Sequence, residues 1–329
     1  MEQPAYSIVV PAYRASRTIA ACLEALNAQT VERHRYELIV VDDGSDDATV
    51  SQARQAGADR VLTVPHGGPA AARNAGVAAA RGEIVLFTDA DCEPAPDWIE
   101  RMVAPFDDPA VDGAKGVYRT RQRSWVARFV QLEYEDKYDR MRGRQTIDFV
   151  DTYAAAYRRC VFAGGGFDPA FPAASGEDVE FSYRLARQGR RLVFAPDAVV
   201  YHQHPATLAR YARRKYYVGF WRVRMVRLHP DKVLDDAHTP QSLKLQVALM
   251  ALVLLSLALA FFWPPFLPAA AVLLLAFMVS ALPFLVKALR RDAPIAFAAP
   301  WLLLLRALAL GLGFAAGLVW QAGPFRRRG

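Results

Sequence analysis

YELIVVDDGSDDATVSQARQAGADRVLTV, Tyr36–Val64, carries the decisive pattern. A short apolar run, Glu37–Val41, stops at two aspartates. A segment with helical spacing follows, Asp46–Ala56, and then a second apolar run, Arg60–Val64. Strand, helix and strand at this spacing predict a crossover between two parallel strands. Working outward, the same alternation continues on both sides. Tyr6–Val10 and Glu83–Phe87 read as further strands, and Arg17–Ala28 and Pro69–Arg81 as helices. The expectation is an α/β domain, a doubly wound and mostly parallel sheet covered by helices. Beyond Lys115 the pattern is less regular. It predicts a long amphipathic stretch over Ser124–Met141, a strand at Thr152–Tyr157, a helix at Glu177–Gln188, and strands at Arg191–Ala195 and Ala198–Tyr201. This half is expected to hold a second part of the binding site.

Open α/β sheets bind ligands beyond the carboxyl ends of their strands, so polar residues just after each apolar run are where chemistry should collect. Here they are acidic: Asp42 and Asp43 after one strand, Asp89 and Asp91 after another. In FTDADCEP, Phe87–Pro94, carboxylates two apart at a strand end can face one divalent cation, and hard oxygens suit Mg²⁺ or Mn²⁺. The same pattern also fits a solvated acidic turn. In VVDDGSDDAT, Val40–Thr49, Asp43 or Ser45 is expected to cap the following helix, while Asp42 can reach a base or ribose. No glycine-rich GxGxxG follows the first strand, where the chain reads VPAYRAS, which argues against a dinucleotide-binding domain. In SGEDVEFSYRL, Ser175 and Asp178 satisfy a capping box. Glu177 and Asp178 nevertheless place two carboxylates at a helix start after a glycine-rich loop, a setting suited to a general base.

The 329 residues carry a formal net charge of +7. Many of the cations fall between Arg119 and Lys232, a distribution that suits phosphates or anionic lipid. Nucleic acid is not expected as a partner, because no zinc-finger or RNA-binding signature occurs and strongly apolar sequence follows directly. Cys22, Cys92 and Cys160 are far apart in sequence and lack metal-ligand spacing, as free thiols in a reducing compartment would. The N-terminus runs into strand-like SIVVP without the features of a signal peptide, so the soluble part is expected in the cytoplasm.

From residue 243 the solvent changes. Leu243–Phe262 and Phe266–Val286 are long and apolar enough to span a bilayer as a hairpin, and Trp301–Trp320 is a third candidate in which Arg306 is expected to snorkel to the interface. Lys287, Arg290 and Arg291 place the loop after the second span in the cytoplasm. Arg326–Arg328 would lie outside if the third segment spans, so that segment is either re-entrant or an exception to the positive-inside rule. Leu208–Pro230 mixes aromatics with Arg and Lys at helical spacing, as an interfacial helix on anionic lipid would; the other reading is a solvated helix packed on the domain.

SIVVPAYRA, VVDDGSDDAT, GGPAAARNAG, FTDADCEP, GGFDPAF and SGEDVEFSYRLARQGRRLVFAPDAVVYH, in this order over Tyr6–His204, resemble the family 2 glycosyltransferases of the GT-A fold. The resemblance implies a nucleoside diphosphate sugar donor, with UDP the commonest nucleotide, and inversion at the anomeric carbon. It implies that Pro11 and Tyr13 border the nucleotide, that Asp42 or Asp43 contacts base and ribose, and that Asp89 lies near ribose and metal. Asp91 matches the direct metal ligand, and His202 the residue completing the shell in some relatives, with His204 a second choice. Asp178 matches the catalytic base, with Glu177 beside it. Arg73 could approach the diphosphate, and Arg184 could orient Asp178 or a phosphate.

The expected layout is a catalytic domain over 1–205, an interfacial helix and linker over 206–242, a membrane region over 243–323 and a basic tail over 324–329. The implied product is a sugar on a lipid-linked or cell-surface glycan, made at the cytoplasmic face of the cell membrane. The competing readings are a polyprenyl-phosphate acceptor and a non-catalytic membrane scaffold that retains the fold.

Overall fold

A computed structural model describes residues 3–171, 176–232 and 239–322. The chain divides into two compact units, one formed by residues 1–122 and 138–204, the other by 123–137 and 205–329.

The first unit is built on β1 (Tyr6–Ala12), α1 (Ile19–Asn27), β2 (Tyr36–Asp42), α2 (Thr49–Gln55), β3 (Arg60–Thr63), α3 (Pro69–Ala79) and β4 (Ile84–Phe87), the alternation expected from the sequence. β1 pairs in parallel with β2 and β4, and β2 with β3. The Val, Leu and Ile side chains of β1 and β2 are buried on both faces, which explains their unbroken apolar runs. α3 starts sharply: Gly68 has φ +84° and Pro69 occupies the first turn. A Cβ at Gly76 of α3 would overlap Val9 and crowd Val41, so the missing side chain lets this helix lie directly on the sheet.

The unit continues with β5 (Cys92–Pro94), α4 (Trp98–Val103), β6 (Val111–Arg119), α5 (Trp125–Met141, shared with the second unit), β7 (Ala155–Arg158), α6 (Glu177–Arg187) and β8 (Arg191–His202). Among the described residues the sheet has eight strands in the order β3-β2-β1-β4-β7-β6-β8-β5. It is mixed: β7 runs antiparallel to β4 and β6, and β5 antiparallel to β8, while β6 and β8 are parallel. The two short strands expected at 191–195 and 198–201 are one strand with a register irregularity against β6, where the chain passes Pro196. The long central β6 escaped the sequence reading, because VDGAKGVYR carries two glycines, an aspartate and a lysine.

The second unit holds the first part of α5 with α7 (Leu208–Leu228), α8 (Gln241–Ala260), α9 (Phe266–Arg291) and α10 (Ala293–Ala322). Its apolar core joins Phe129, Tyr211, Phe277, Ala281, Leu302 and Leu303. α8, α9 and α10 are long and apolar enough to cross a membrane, with mean hydropathies of 2.2, 2.5 and 2.2 in their most apolar windows. Four ion pairs tie α5 to the end of α9 and to α10: Asp136 to Lys287, Glu135 to Arg291, Arg128 to Asp292, and Glu133 to Arg306. Arg306 therefore does not snorkel. It lies near the middle of α10, buried, and donates to Glu133 and Gln246, because α10 starts eight residues earlier than its hydropathy suggested.

Candidate active site

Every strand end named by the sequence converges at one edge of the first unit. β1 delivers Pro11 and Tyr13. Arg14, which follows, is the one described non-glycine residue with a left-handed backbone, φ +49°. Its strain is held by a clamp: the Arg14 N–H donates to Ser45 Oγ (2.8 Å) and its guanidinium grips Asp46 through both oxygens (2.9 and 2.8 Å). The turn presents the half-exposed Tyr13 ring, stacked on His66 with centroids 4.3 Å apart. His66 is itself fixed, its Nδ1 lying 3.0 Å from the Asp43 carbonyl. This aromatic pair was not foreseen for His66; its only sequence signal was its place just before the Gly-Gly-Pro turn.

Asp42 and Asp43 are both buried. Neither Asp43 nor Ser45 caps α2, contrary to expectation, because that helix begins only at Thr49 and its start is met by Asp47, which accepts from the Thr49 N–H. Asp43 instead accepts from the N–H groups of Gly67 (2.8 Å) and Gly68 (3.0 Å), pinning the loop that leads into α3. Asp42 receives the Ser45 N–H at 3.3 Å.

One turn into α3, Arg73 is buried and bridges two carboxylates, Glu177 at 2.7 Å and Asp89 at 3.0 Å. It thereby joins the loop after β4 to the first residue of α6. Removing one partner from a buried ionic cluster strands the others, so Arg73→Ala is expected to lower the unfolding free energy by about 3–5 kcal/mol, with Arg73→Lys recovering part of it. Urea denaturation of the three proteins measures this. Burial pushes the Asp89 carboxyl up, Arg73 pulls it down, and the neighbouring Asp91 pushes it up again, with a net rise.

Asp91 turns the other way. Its Oδ1 lies 3.5 Å from His202 Nδ1, and Cys92 Sγ is 3.9 Å from the same nitrogen. The ligand atoms of Asp91, Cys92 and His202 all fall within 4.8 Å of one another. The antiparallel pairing of β5 with β8, Cys92 opposite His202, brings them together. His202 also stacks on Tyr118, centroids 4.6 Å apart. The Asp91 carboxylate and an imidazole are donors a hard divalent ion accepts, whereas burial pushes the Cys92 thiol well above its ordinary value and keeps it protonated. The residues present fit Mn²⁺ or Mg²⁺ through Asp91 and His202. Asp89, grouped with Asp91 by sequence, is instead held by Arg73. His204, the second choice, is buried and bonded through its backbone to Gln122.

Asp178 follows Glu177 in the first turn of α6. Its partner in the expected capping box, Ser175, lies outside the described residues; Gly176 precedes the helix, without a side-chain cap. Asp178 Oδ1 accepts from the Val179 N–H (2.8 Å) and Oδ2 from the Thr152 N–H (3.3 Å). Loss of solvent around the carboxyl, then the adjacent Glu177 and Asp151, push it up to about 7 despite Arg73. Asp151 in turn is 2.5 Å from the Nζ of the fully buried Lys115, which also donates to Tyr153. Lys115 and Asp151 were missed because they sit in segments without a regular period. Arg184 does not reach Asp178; it pairs with Glu180 and the carbonyls of Gly165 and Gly166.

An α/β sheet with acidic strand ends facing a helix-borne carboxylate is the architecture of GT-A transferases. The structure of the mannosyltransferase PcManGT from Pyrobaculum calidifontis, in complex with GDP-Man and Mn²⁺, aligns with 98% of this chain and 89% of its own at a TM-score of 0.61 and 22% identity. The family described as Glycosyl transferase family 2 matches residues 7–166. Glycosyltransferase AglE of Haloferax volcanii is 31% identical over 208 residues, 60% of this chain and 67% of the relative. The pre-mycofactocin glycosyltransferase of Mycobacterium tuberculosis is 34% identical over 206 residues, and the chain spans 43% of its length. The chain belongs to glycosyl transferase family 2 and is a glycosyltransferase.

Proposed function

We propose that this enzyme transfers a sugar, with inversion, from a nucleoside diphosphate sugar to a hydroxyl of a lipid-linked or cell-surface glycan, at the cytoplasmic face of a membrane that its C-terminal helices enter. The observation that carries the chemistry is Asp178: a carboxylate at a helix start, raised to about 7 and next to the Arg73 cluster. A base poised near the working pH can take the acceptor proton as the hydroxyl attacks the anomeric carbon from the face opposite the diphosphate. Pro11 and Tyr13 border the nucleotide, with Asp42 and Asp43 behind them at the end of β2. Asp91 and His202 would hold a Mn²⁺ or Mg²⁺ ion, which neutralises charge on the departing diphosphate when bound. Glu177, locked to Arg73, positions Asp178 and does not share its role.

PcManGT is described with GDP-Man, so guanosine and uridine donors both belong in the test. Purified full-length protein incubated with UDP- and GDP-sugars is expected to show a Mn²⁺-dependent thermal shift with one nucleotide class, and slow hydrolysis of that donor. Stabilisation by no nucleotide sugar, with or without Mn²⁺, would remove the enzymatic reading in favour of a scaffold. An inverted product with a polyprenyl phosphate but none with a hydroxyl acceptor would replace the acceptor assignment.

A further inference from the structure

We propose that α10 is not a third membrane crossing. It lies at headgroup depth beside α7 as one interfacial element seated on an anionic bilayer surface, so that among the described residues only the α8–α9 hairpin spans. This rests on the reading of α8 and α9 as membrane helices.

Depth is the first argument. A helix crossing beside α8 would keep pace with it, one residue per residue, since both rise about 1.5 Å per step. α10 does not. Arg306, near its midpoint, donates to Gln246 in the second turn of α8 (2.7 Å), and Gly311, five residues on, faces Val247. α10 advances roughly 7.5 Å there while its neighbour on α8 changes by one position. Such spacing is what a helix passing across the beginning of α8 would give.

The companion of α10 is the second argument. Glu133 gathers Arg306 of α10 with Lys215 and Tyr211 of α7 at 2.9–3.1 Å. From there the two helices run side by side in the same direction. A Cβ at Gly219 would strike the Leu310 carbonyl, at Gly313 the Tyr216 carbonyl, and at Gly317 the Phe220 carbonyl; Phe220 and Trp221 then meet Trp320 with ring centroids 5.5 and 6.0 Å apart. Glycines at these positions let the backbones approach over about 10 Å of α10. Whatever depth α7 has, the second half of α10 shares it.

The charge of α7 sets that depth. LARYARRKYYVGFWRVRMVRL carries six arginines and one lysine in 21 residues, too many for hydrocarbon and well matched to anionic headgroups. Interleaved with them, α7 exposes Tyr217 and Leu228, and α10 exposes Phe297 and Trp301, apolar groups that such an element would sink among the lipids. With two crossings, both ends of the membrane unit fall on one side. That side is the one of Lys287, Arg290 and Arg291, in keeping with the positive-inside rule.

The test uses full-length protein with Cys160, the exposed thiol, replaced by Ser; Cys22 and Cys92 are buried. Nitroxides are placed at Leu312→Cys and, as a reference in the middle of α9, at Leu275→Cys, in vesicles containing anionic lipid. Collisions with oxygen and with a water-soluble nickel complex give their depth. Leu312→Cys is expected at headgroup level and Leu275→Cys near the bilayer centre; equal depth would overturn the proposal. Impermeant maleimide should reach Val319→Cys from the same side as Leu289→Cys, and Trp263→Cys in the hairpin turn from the other. Val319→Cys and Trp263→Cys on one side would restore a third crossing. Trp263→Cys and Leu289→Cys on one side would instead remove the hairpin itself.

Discussion

Asp178→Asn is expected to lower sugar transfer by roughly 10²–10⁴-fold while leaving donor binding intact, the scale on which general-base assistance is lost. The amide keeps an oxygen for the Val179 N–H, so the start of α6 should survive at a cost on the order of 1 kcal/mol or less. The pH dependence carries a second signature. Asp178 must be ionised to accept a proton, so the wild-type kcat/KM should climb with pH through about 7 and then level off. Stability moves in the opposite sense. A carboxyl whose folded pKa lies above its ordinary value binds more protons folded than unfolded. Its contribution is therefore full at low pH and is lost as pH rises from about 4 to about 7. The melting temperature of Asp178→Asn, which cannot ionise, should accordingly gain on wild type between pH 5 and pH 8. Transfer at near wild-type rate by the Asn variant would shift the role to Glu177 or to an acceptor that arrives already ionised.

Asp91→Ala should abolish the part of donor affinity that depends on Mn²⁺. Asp91 lies 3.5 Å from His202, whereas one oxygen of Asp89 is already engaged by Arg73 at 3.0 Å. Calorimetric titration of UDP or GDP into wild type and variant, with Mn²⁺ and with chelator, measures this directly. The variant should bind alike under both conditions, at the level of chelated wild type. An undiminished response to Mn²⁺ would show that the ion sits elsewhere. Cys92→Ser is the companion, and it should retain the Mn²⁺ response, since the protonated thiol is a poor partner for a hard ion.

How far each feature could be read in advance followed from the range of the forces that make it. β1 to β4 and their helices were legible because a strand buried on both faces must be apolar throughout, whatever it packs against. β5 was too short to carry a period, with three residues. β6 was hidden by Lys115, a buried cation that is tolerable only because Asp151 and Tyr153 arrive from another segment. The site shows the same division. The acidic strand ends and the carboxylates of α6 were visible as residue types at the right places. Their division of labour was not: Asp89 and Asp91 look equivalent in FTDADCEP, yet one faces Arg73 and the other His202.

By itself the sequence determined the α/β alternation, the sheet edge at which acidic residues gather, and the presence of C-terminal segments long and apolar enough to cross a membrane. These depend on local patterning and hydropathy, which a single chain displays in order. Tertiary structure alone decided that Arg73 is the ionic hub, that Asp43 pins a loop and not a helix start, and that Asp178 is the carboxyl raised towards neutrality. It also decided that Arg306 is buried in an ion pair with Glu133. Each of these depends on which charges a distant segment brings within a few ångströms and on how much water is left around them. At those distances and in that low dielectric, electrostatic energies change steeply with placement, and placement is not written in the order of the residues.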